Sequence, residues 1–118
     1  MKYMLLLHGD PAEAPADETD PGSEEMQRWF AYTDALVQAG AMVGGEALHG
    51  TETATTVRVT EGNRVVTDGP FIEAKEALGG YYVIDVDDLD AAIDWAARVP
   101  SVTYGAVEVR PVMEIPAE

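Results

Sequence analysis

"VTDGPFIEAKEALGGYYVIDV", residues 66–86, decides the fold. Its first part closes a β-rich run at a turn: Asp68 can bond nearby amides, Gly69 accepts positive φ and Pro70 fixes φ. Its last part, Gly80 to Val86, is rich in aromatic and β-branched residues and reads as a strand. Between them lies a charged connection holding Glu73, Lys75 and Glu76. That connection is either a solvated link or the rim of a site.

Working outward, Thr53 to Thr60 and Asn63 to Thr67 are two β-rich runs split by Glu61-Gly62, which predicts a hairpin. Upstream, residues 41–48 form a short strand weakened by Gly44 and Gly45, where a bulge or a close backbone approach is expected. Ser23 suits a helix N-cap, with Glu24 and Glu25 in the first turn, where the helix dipole favours anions. Met26, Trp29, Phe30, Thr33, Leu36 and Val37 then recur with helical spacing, and Gly40 suits the C-terminal cap. Residues 2–8 are apolar almost throughout and predict a central strand. Residues 9–22, rich in Pro, Ala and acids, predict an exposed loop. Downstream, Asp87 or Asp88 opens a second helix with Leu89, Ala92, Ile93 and Ala96 inward. Pro100 stops that helix, and residues 106–113 make the last strand, with Pro111 at an edge or bulge.

The order β-α-β-(hairpin)-β-α-β predicts a single domain over 1–118. Its architecture is an α+β sandwich of the ferredoxin-like split βαβ type with an inserted hairpin. Both helices cover one sheet face and leave the other open. Strand alternation divides the side chains into two sets. Tyr3, Leu5 and Leu7 oppose Lys2, Met4, Leu6 and His8; Val107 and Val109 oppose Ala106, Glu108 and Arg110. The open face would mix apolar groups with Arg58, Glu108, Arg110 and His8, either as cross-strand ion pairs or as the wall of a cavity. A half-apolar face needs a cover, and a second copy of the chain is the simplest one.

Charge narrows the partners. The chain carries 22 acids against 7 bases, a net charge of −15. Nucleic acid and anionic membranes both need a basic face, so neither is expected. There is no cysteine, hence no disulfide and no thiolate chemistry, which suits a cytoplasmic location. No histidine pair at helical spacing, EF-hand loop or phosphate-binding fingerprint is present, so neither a metal nor a cofactor is expected.

Several separated motifs now agree in order and spacing: "KYMLLL" (2–7), "AGAMVGGEAL" (39–48), "TATTVRV" (53–59), "VTDGPF" (66–71), "EAKEALGGYYVIDV" (73–86), "DLDAAIDWAARVP" (88–100) and "VEVRPV" (107–112). Together they resemble the YCII-related, or DGPF-domain, family over nearly the whole chain outside the 9–22 loop. The resemblance implies a ferredoxin-like fold and a homodimer of the dimeric α/β-barrel type, sheet against sheet. It also implies a proposed active site built on a His–Asp pair. The Asp of that pair matches Asp68, whereas the helix position of its His is Trp29 here. Some relatives are encoded beside extracytoplasmic-function sigma factors.

Asp68 is the candidate catalytic group, as proton acceptor or hydrogen-bond partner. Arg58 can clamp a carboxylate in its guanidinium fork. Glu46, Lys75, His8 and Glu73 are the further candidate substrate-binding residues. The chain's two histidines are His8, closing the first strand, and His49, before a glycine in a loop. The expected function is that of a small cytoplasmic homodimer that binds, and in the enzymatic reading transforms, a small organic molecule between the sheets. The alternatives are a non-catalytic regulatory or protein-interaction module linked to sigma-factor-dependent transcription, and, on fold analogy alone, a cofactor-free monooxygenase.

Overall fold

Alternation along the first strand sets the layers. In the computed structural model, which describes residues 1–16 and 19–116, β1 (Lys2–Gly9) buries Tyr3, Leu5 and Leu7 and leaves Lys2, Met4, Leu6 and His8 on the other side. It is flanked by β5 (Ala77–Asp85) and β6 (Gly105–Pro111), and β2 (Met42–Ala47) pairs with the far side of β5. The strand order β2-β5-β1-β6, all antiparallel neighbours, is that of a split βαβ sheet. Pro111 ends β6 on the sheet edge, where its missing N–H costs no ladder bond.

Both helices lie over the Tyr3–Leu5–Leu7 side. Leu5, Leu36, Ile84 and Val99 are fully buried there. Each contributes roughly 1.5–3 kcal/mol of apolar burial. In α1 (Glu24–Gln38), the Ser23 hydroxyl accepts from the Met26 amide at 3.1 Å, and Gly40 takes φ +71° just past the end. The inward stripe is Glu25, Tyr32 and Leu36, flanked by Trp29, so the expected face is rotated; Phe30 and Val37 remain 54% and 53% exposed. Polar satisfaction explains the rotation. The Tyr32 hydroxyl donates to the Trp95 carbonyl at 2.8 Å, and its ring meets Tyr82 and Trp95 edge-on. Glu25 is held by Arg28 and Tyr104. In α2 (Leu89–Ala96), capped by Asp88, the small Ala92 and Ala96 are the buried positions, which lets the helix sit close to the sheet. Leu89 and Ile93, expected inward, stay about half exposed on its flanks.

Between β2 and β5 the chain departs from the sheet. β3 (Thr55–Thr60) and β4 (Asn63–Asp68) form a separate hairpin around Glu61 (φ 52°) and Gly62 (φ 78°). Positive φ at both turn residues is the two-residue geometry that matches strand twist. Every hairpin residue except Thr56 is exposed, including Val57, Val59, Val65 and Val66. The radius of gyration, 16.3 Å, exceeds the roughly 13.5 Å of a compact chain of this length.

Of the expected 9–22 loop, Pro11–Glu13 forms a short 3-10 turn capped by Asp10, while Asp17 and Glu18 lie outside the described residues.

Candidate functional site

Register settles the composition of the uncovered sheet face. Met4 pairs with Val83 and Arg110, Leu6 with Tyr81 and Glu108, and His8 with Leu78 and Ala106. Gly44 and Glu46 of β2 continue the same rows beside Val83 and Tyr81. The face is therefore a half-buried apolar strip of Met4, Leu6, Tyr81 and Val83, bordered by charges. Glu108 lies 3.3 Å from His8 Nε2 and 3.9 Å from Arg110 Nε, both contacts partly in water. Such exposed pairs contribute roughly 0–1 kcal/mol and leave these groups available to other partners. Arg58, grouped by alternation with Glu108 and Arg110, lies instead on the hairpin, because β3 does not join the main sheet.

Two bulges interrupt this sheet, one toward each end of β5. The β1–β5 register skips Gly79 between the Leu7–Gly80 and His8–Leu78 pairs, and the β2–β5 register skips Val43. The Leu48 amide donates to the Gly79 carbonyl at 2.9 Å, so the turn after β2 is tied to the first bulge. A Cβ on Gly80 would stand 2.9 Å from the Glu46 carbonyl, and one on Gly45 2.7 Å from the Tyr81 carbonyl. At either position any other residue would force the paired strand to shift. The two double glycines thus let β2 and β5 approach and bend, a device common beside functional sites.

At the Gly79 end lie two neighbouring cavities that share Leu7, Thr19, Trp29, Leu48 and Gly79. The first, about 340 Å³, is lined by His8, His49, Asp10, Ser101 and Tyr104 as well. The second, about 410 Å³, runs between α1 and β2 past Phe30, Met42, Glu46 and Tyr82. Tyr82 exchanges a 2.8 Å hydrogen bond with Thr33; burial pushes its hydroxyl pKa up, and that bond lowers it by less. Burial likewise pushes the Tyr32 hydroxyl up, aided by neighbouring Tyr82 and opposed by Arg98. Both phenols stay neutral and packed at ordinary pH. A shallow groove of about 550 Å³ lies apart from these, along the connection after the hairpin, lined by Gly69, Pro70, Glu52, Glu73 and Lys75.

The expected site residues distribute over these features. His8 lines the first cavity, Glu46 the second, and Glu73 and Lys75 the shallow groove. Asp68 ends β4 opposite Thr55, exposed, and its carboxylate makes no hydrogen bond among the described residues; Gly69 and Thr56 bond around it instead. Arg58 lays its guanidinium 4.6 Å over the ring of Phe71, the last residue of the DGPF run. Such stacking is worth roughly 0.5–1 kcal/mol at an exposed site. Neither Asp68 nor Arg58 lines any of the three hollows, so one chain alone does not gather the six candidates. His49, Asp10 and Tyr104 were not singled out from sequence as binding groups. Trp29, read from sequence as part of the apolar helix face and as the residue at the histidine's helix position, borders both cavities.

Among the described residues, no three His, Cys, Asp or Glu side chains gather closely enough to hold a metal ion. Nor is any helix among them long and apolar enough to cross a membrane.

A ferredoxin-like sheet with a hairpin inserted before its third main strand, hollowed at one end around an α1 aromatic, defines the class of protein. The chain belongs to the YCII-related domain family, whose profile matches residues 1–116. It is 34% identical over 114 residues to an uncharacterized protein of Rhizobium meliloti (strain 1021), covering 95% of this chain and 92% of that one. Among solved structures it is similar to the 5-chloro-2-hydroxyhydroquinone dehydrochlorinase of Burkholderia phenoliruptrix AC1100 in complex with 2,5-dihydroxybenzoquinone. The TM-score is 0.53 at 12% identity, over 96% of this chain and 94% of that one. At that identity the likeness establishes the shared fold.

Proposed function

We propose that the protein is a homodimer that binds and transforms a small organic molecule in the space enclosed when a second copy covers the open sheet face. The observation that carries this reading is that face itself: Met4, Leu6, Tyr81 and Val83 in a strip, with His8, Glu46, Glu108 and Arg110 along its rows. An apolar strip of this kind gains by being covered, and the charged border then has to pair or meet a ligand. The fold it shares with an enzyme acting on a small ring compound adds support at the level of architecture. In this reading Asp68 is the proton acceptor, with Arg58, Glu46, Lys75, Glu73 and His8 orienting the ligand. In the same reading, each copy reaches into the partner's cavity with its exposed hairpin, which carries Asp68 and Arg58. A cytoplasmic location accords with the absence of cysteine.

Thermal melting against a panel of small metabolites tests the reading, run side by side with Asp68→Asn. A compound that stabilises the native chain and not the variant is the expected result. Equal responses in both proteins remove Asp68 from the role, and a panel with no stabilising compound removes the small-molecule function.

One observation favours a second reading, a non-catalytic protein-interaction module. The hairpin and the connection after it expose Val57, Val59, Val66, Phe71 and Ile72, a surface that another protein could cover. Pull-down that recovers only further copies of the chain contradicts it.

A further inference from the structure

The chain's two histidines are far apart in sequence and line one cavity. His8 stands near the end of β1 and His49 in the turn after β2, and both line the 340 Å³ cavity with Trp29 and Tyr104. The backbone brings their two segments to this cavity. The bulge at Gly79 interrupts the β1–β5 ladder directly beside His8, and the Leu48 amide to Gly79 carbonyl bond anchors His49's turn against that same bulge. Across β1, a Cβ on Gly105 would run into the His8 carbonyl, so β6 also closes up at this point. Trp29 faces the cavity from α1, and Tyr104 from the segment before β6.

From this geometry we infer that the cavity is a ligand site for a neutral, single-ring molecule carrying hydroxyl or carbonyl groups, with His49 and His8 as its hydrogen-bond partners. Size and chemistry set the class. About 340 Å³ is at the lower end of the roughly 300–1,000 Å³ of small-molecule pockets, which suits one ring and not a nucleotide or a peptide. Trp29 and Tyr104 supply aromatic surface, and Leu7, Leu48 and Leu78 an apolar lining. The polar groups are the two imidazoles, Ser101 and Asp10; His8 Nε2 also lies 3.3 Å from Glu108, so a ligand meets its other ring nitrogen or replaces that weak contact, and the Asp10 carboxylate already accepts from the Ala12 amide at 2.9 Å. No Lys or Arg lines the cavity among the described residues, and the chain as a whole carries −15, so a carboxylate or phosphate has no counter-charge there. A neutral imidazole both donates and accepts, which fits hydroxyl and carbonyl groups alike.

His8 also belongs to the open sheet face through its register, so the cavity reaches the edge of the surface assigned to a second copy. The inference rests on the small-molecule reading above but not on Asp68. It assigns two imidazoles to a cavity that Trp29 also lines, the residue at the helix position where the family resemblance implies a histidine.

NMR of the imidazole signals tests it, since the chain has only two histidines and single substitutions assign them. Resorcinol serves as the neutral hydroxylated ring and benzoate as its anionic counterpart. Resorcinol is expected to shift both imidazole spectra saturably with one Kd. Benzoate and the His49→Gln variant are each expected to bind about tenfold more weakly, the loss of one hydrogen-bond-sized interaction. His8→Gln is expected to weaken resorcinol similarly, and Asp94→Asn, exposed on α2, to leave it unchanged. Imidazole signals unmoved by resorcinol, equal affinity in His49→Gln, or tighter benzoate binding overturns the assignment. If a panel compound stabilises the protein yet leaves both imidazoles unmoved, this site fails while the small-molecule reading stands. If nothing stabilises the protein, that reading itself fails.

Discussion

Glu25 is a carboxylate inside the helix–sheet core, and removing it has a cost that can be worked from its contacts. Its side chain is only 4% exposed; Oε2 accepts from Arg28 Nη1 at 3.0 Å and Oε1 from the Tyr104 hydroxyl at 3.0 Å. The Arg28 contact is discounted, because that guanidinium is 57% exposed and also meets Glu24 at 2.9 Å. Losing it costs about 0.5 kcal/mol. The Tyr104 bond is to a charged, buried acceptor, and its loss costs about 1.5 kcal/mol. A further ~0.5 kcal/mol comes from the packing left incomplete. Glu25→Ala should therefore destabilise by about 2.5 kcal/mol, or roughly 10 °C in Tm for a domain of this size. Glu25→Gln, which keeps an acceptor for Tyr104, should lose about 1 kcal/mol. Urea denaturation of Glu25→Ala, Tyr104→Phe and the double variant gives the coupling between the two groups directly, expected at about 1 kcal/mol. A Glu25→Ala change within about 0.5 kcal/mol of the native chain, with no coupling, would refute the reasoning. Because Tyr104 also lines the cavity with His8 and His49, the same variants should weaken ligand binding there.

Gly80→Ala should cost about 1–3 kcal/mol, because the added methyl meets the Glu46 carbonyl between two paired strands; chemical denaturation measures it, and an unchanged midpoint contradicts the close approach. Ser23→Ala removes the acceptor for the Met26 amide and should lose about 1 kcal/mol, with early fraying of α1 seen in amide exchange. Tyr32 and Tyr82 have raised hydroxyl pKa values, so the folded state keeps these protons longer than the unfolded chain. Their contribution is complete below about pH 10, the unfolded value, and is lost as pH climbs through the folded values. Urea midpoints should fall above about pH 10, less steeply in Tyr32→Phe, and midpoints independent of pH there would contradict the burial of both phenols.

The elements were legible because short-range chemistry specified them. Ser23 and Asp88 cap the two helices, Glu61-Gly62 turns the hairpin, and Tyr3, Leu5 and Leu7 declare the inner side of β1. What escaped depends on contacts between distant segments. The rotation of α1 follows from a glutamate and a tyrosine whose partners, Tyr104 and the Trp95 carbonyl, lie far along the chain. Periodicity counts hydrophobic residues and cannot register a satisfied polar one. Arg58 looked like a sheet residue because β3 alternates properly, but alternation does not say which sheet a strand joins. The candidate site was half visible. His8 and Glu46 line hollows, whereas the place of His49 in the cavity of His8 depends on the Gly79 bulge and the turn it anchors. The second double glycine was the available signal, since glycine inside a strand often marks a bulge.

Sedimentation equilibrium at micromolar concentration tests the central claim most directly. The account predicts a mass twice the 12.7 kDa of one chain, shifting toward a single chain when Leu6→Lys puts a charge on the open strip. A native protein that sediments as one 12.7 kDa chain, with Leu6→Lys leaving that mass unchanged, would contradict it.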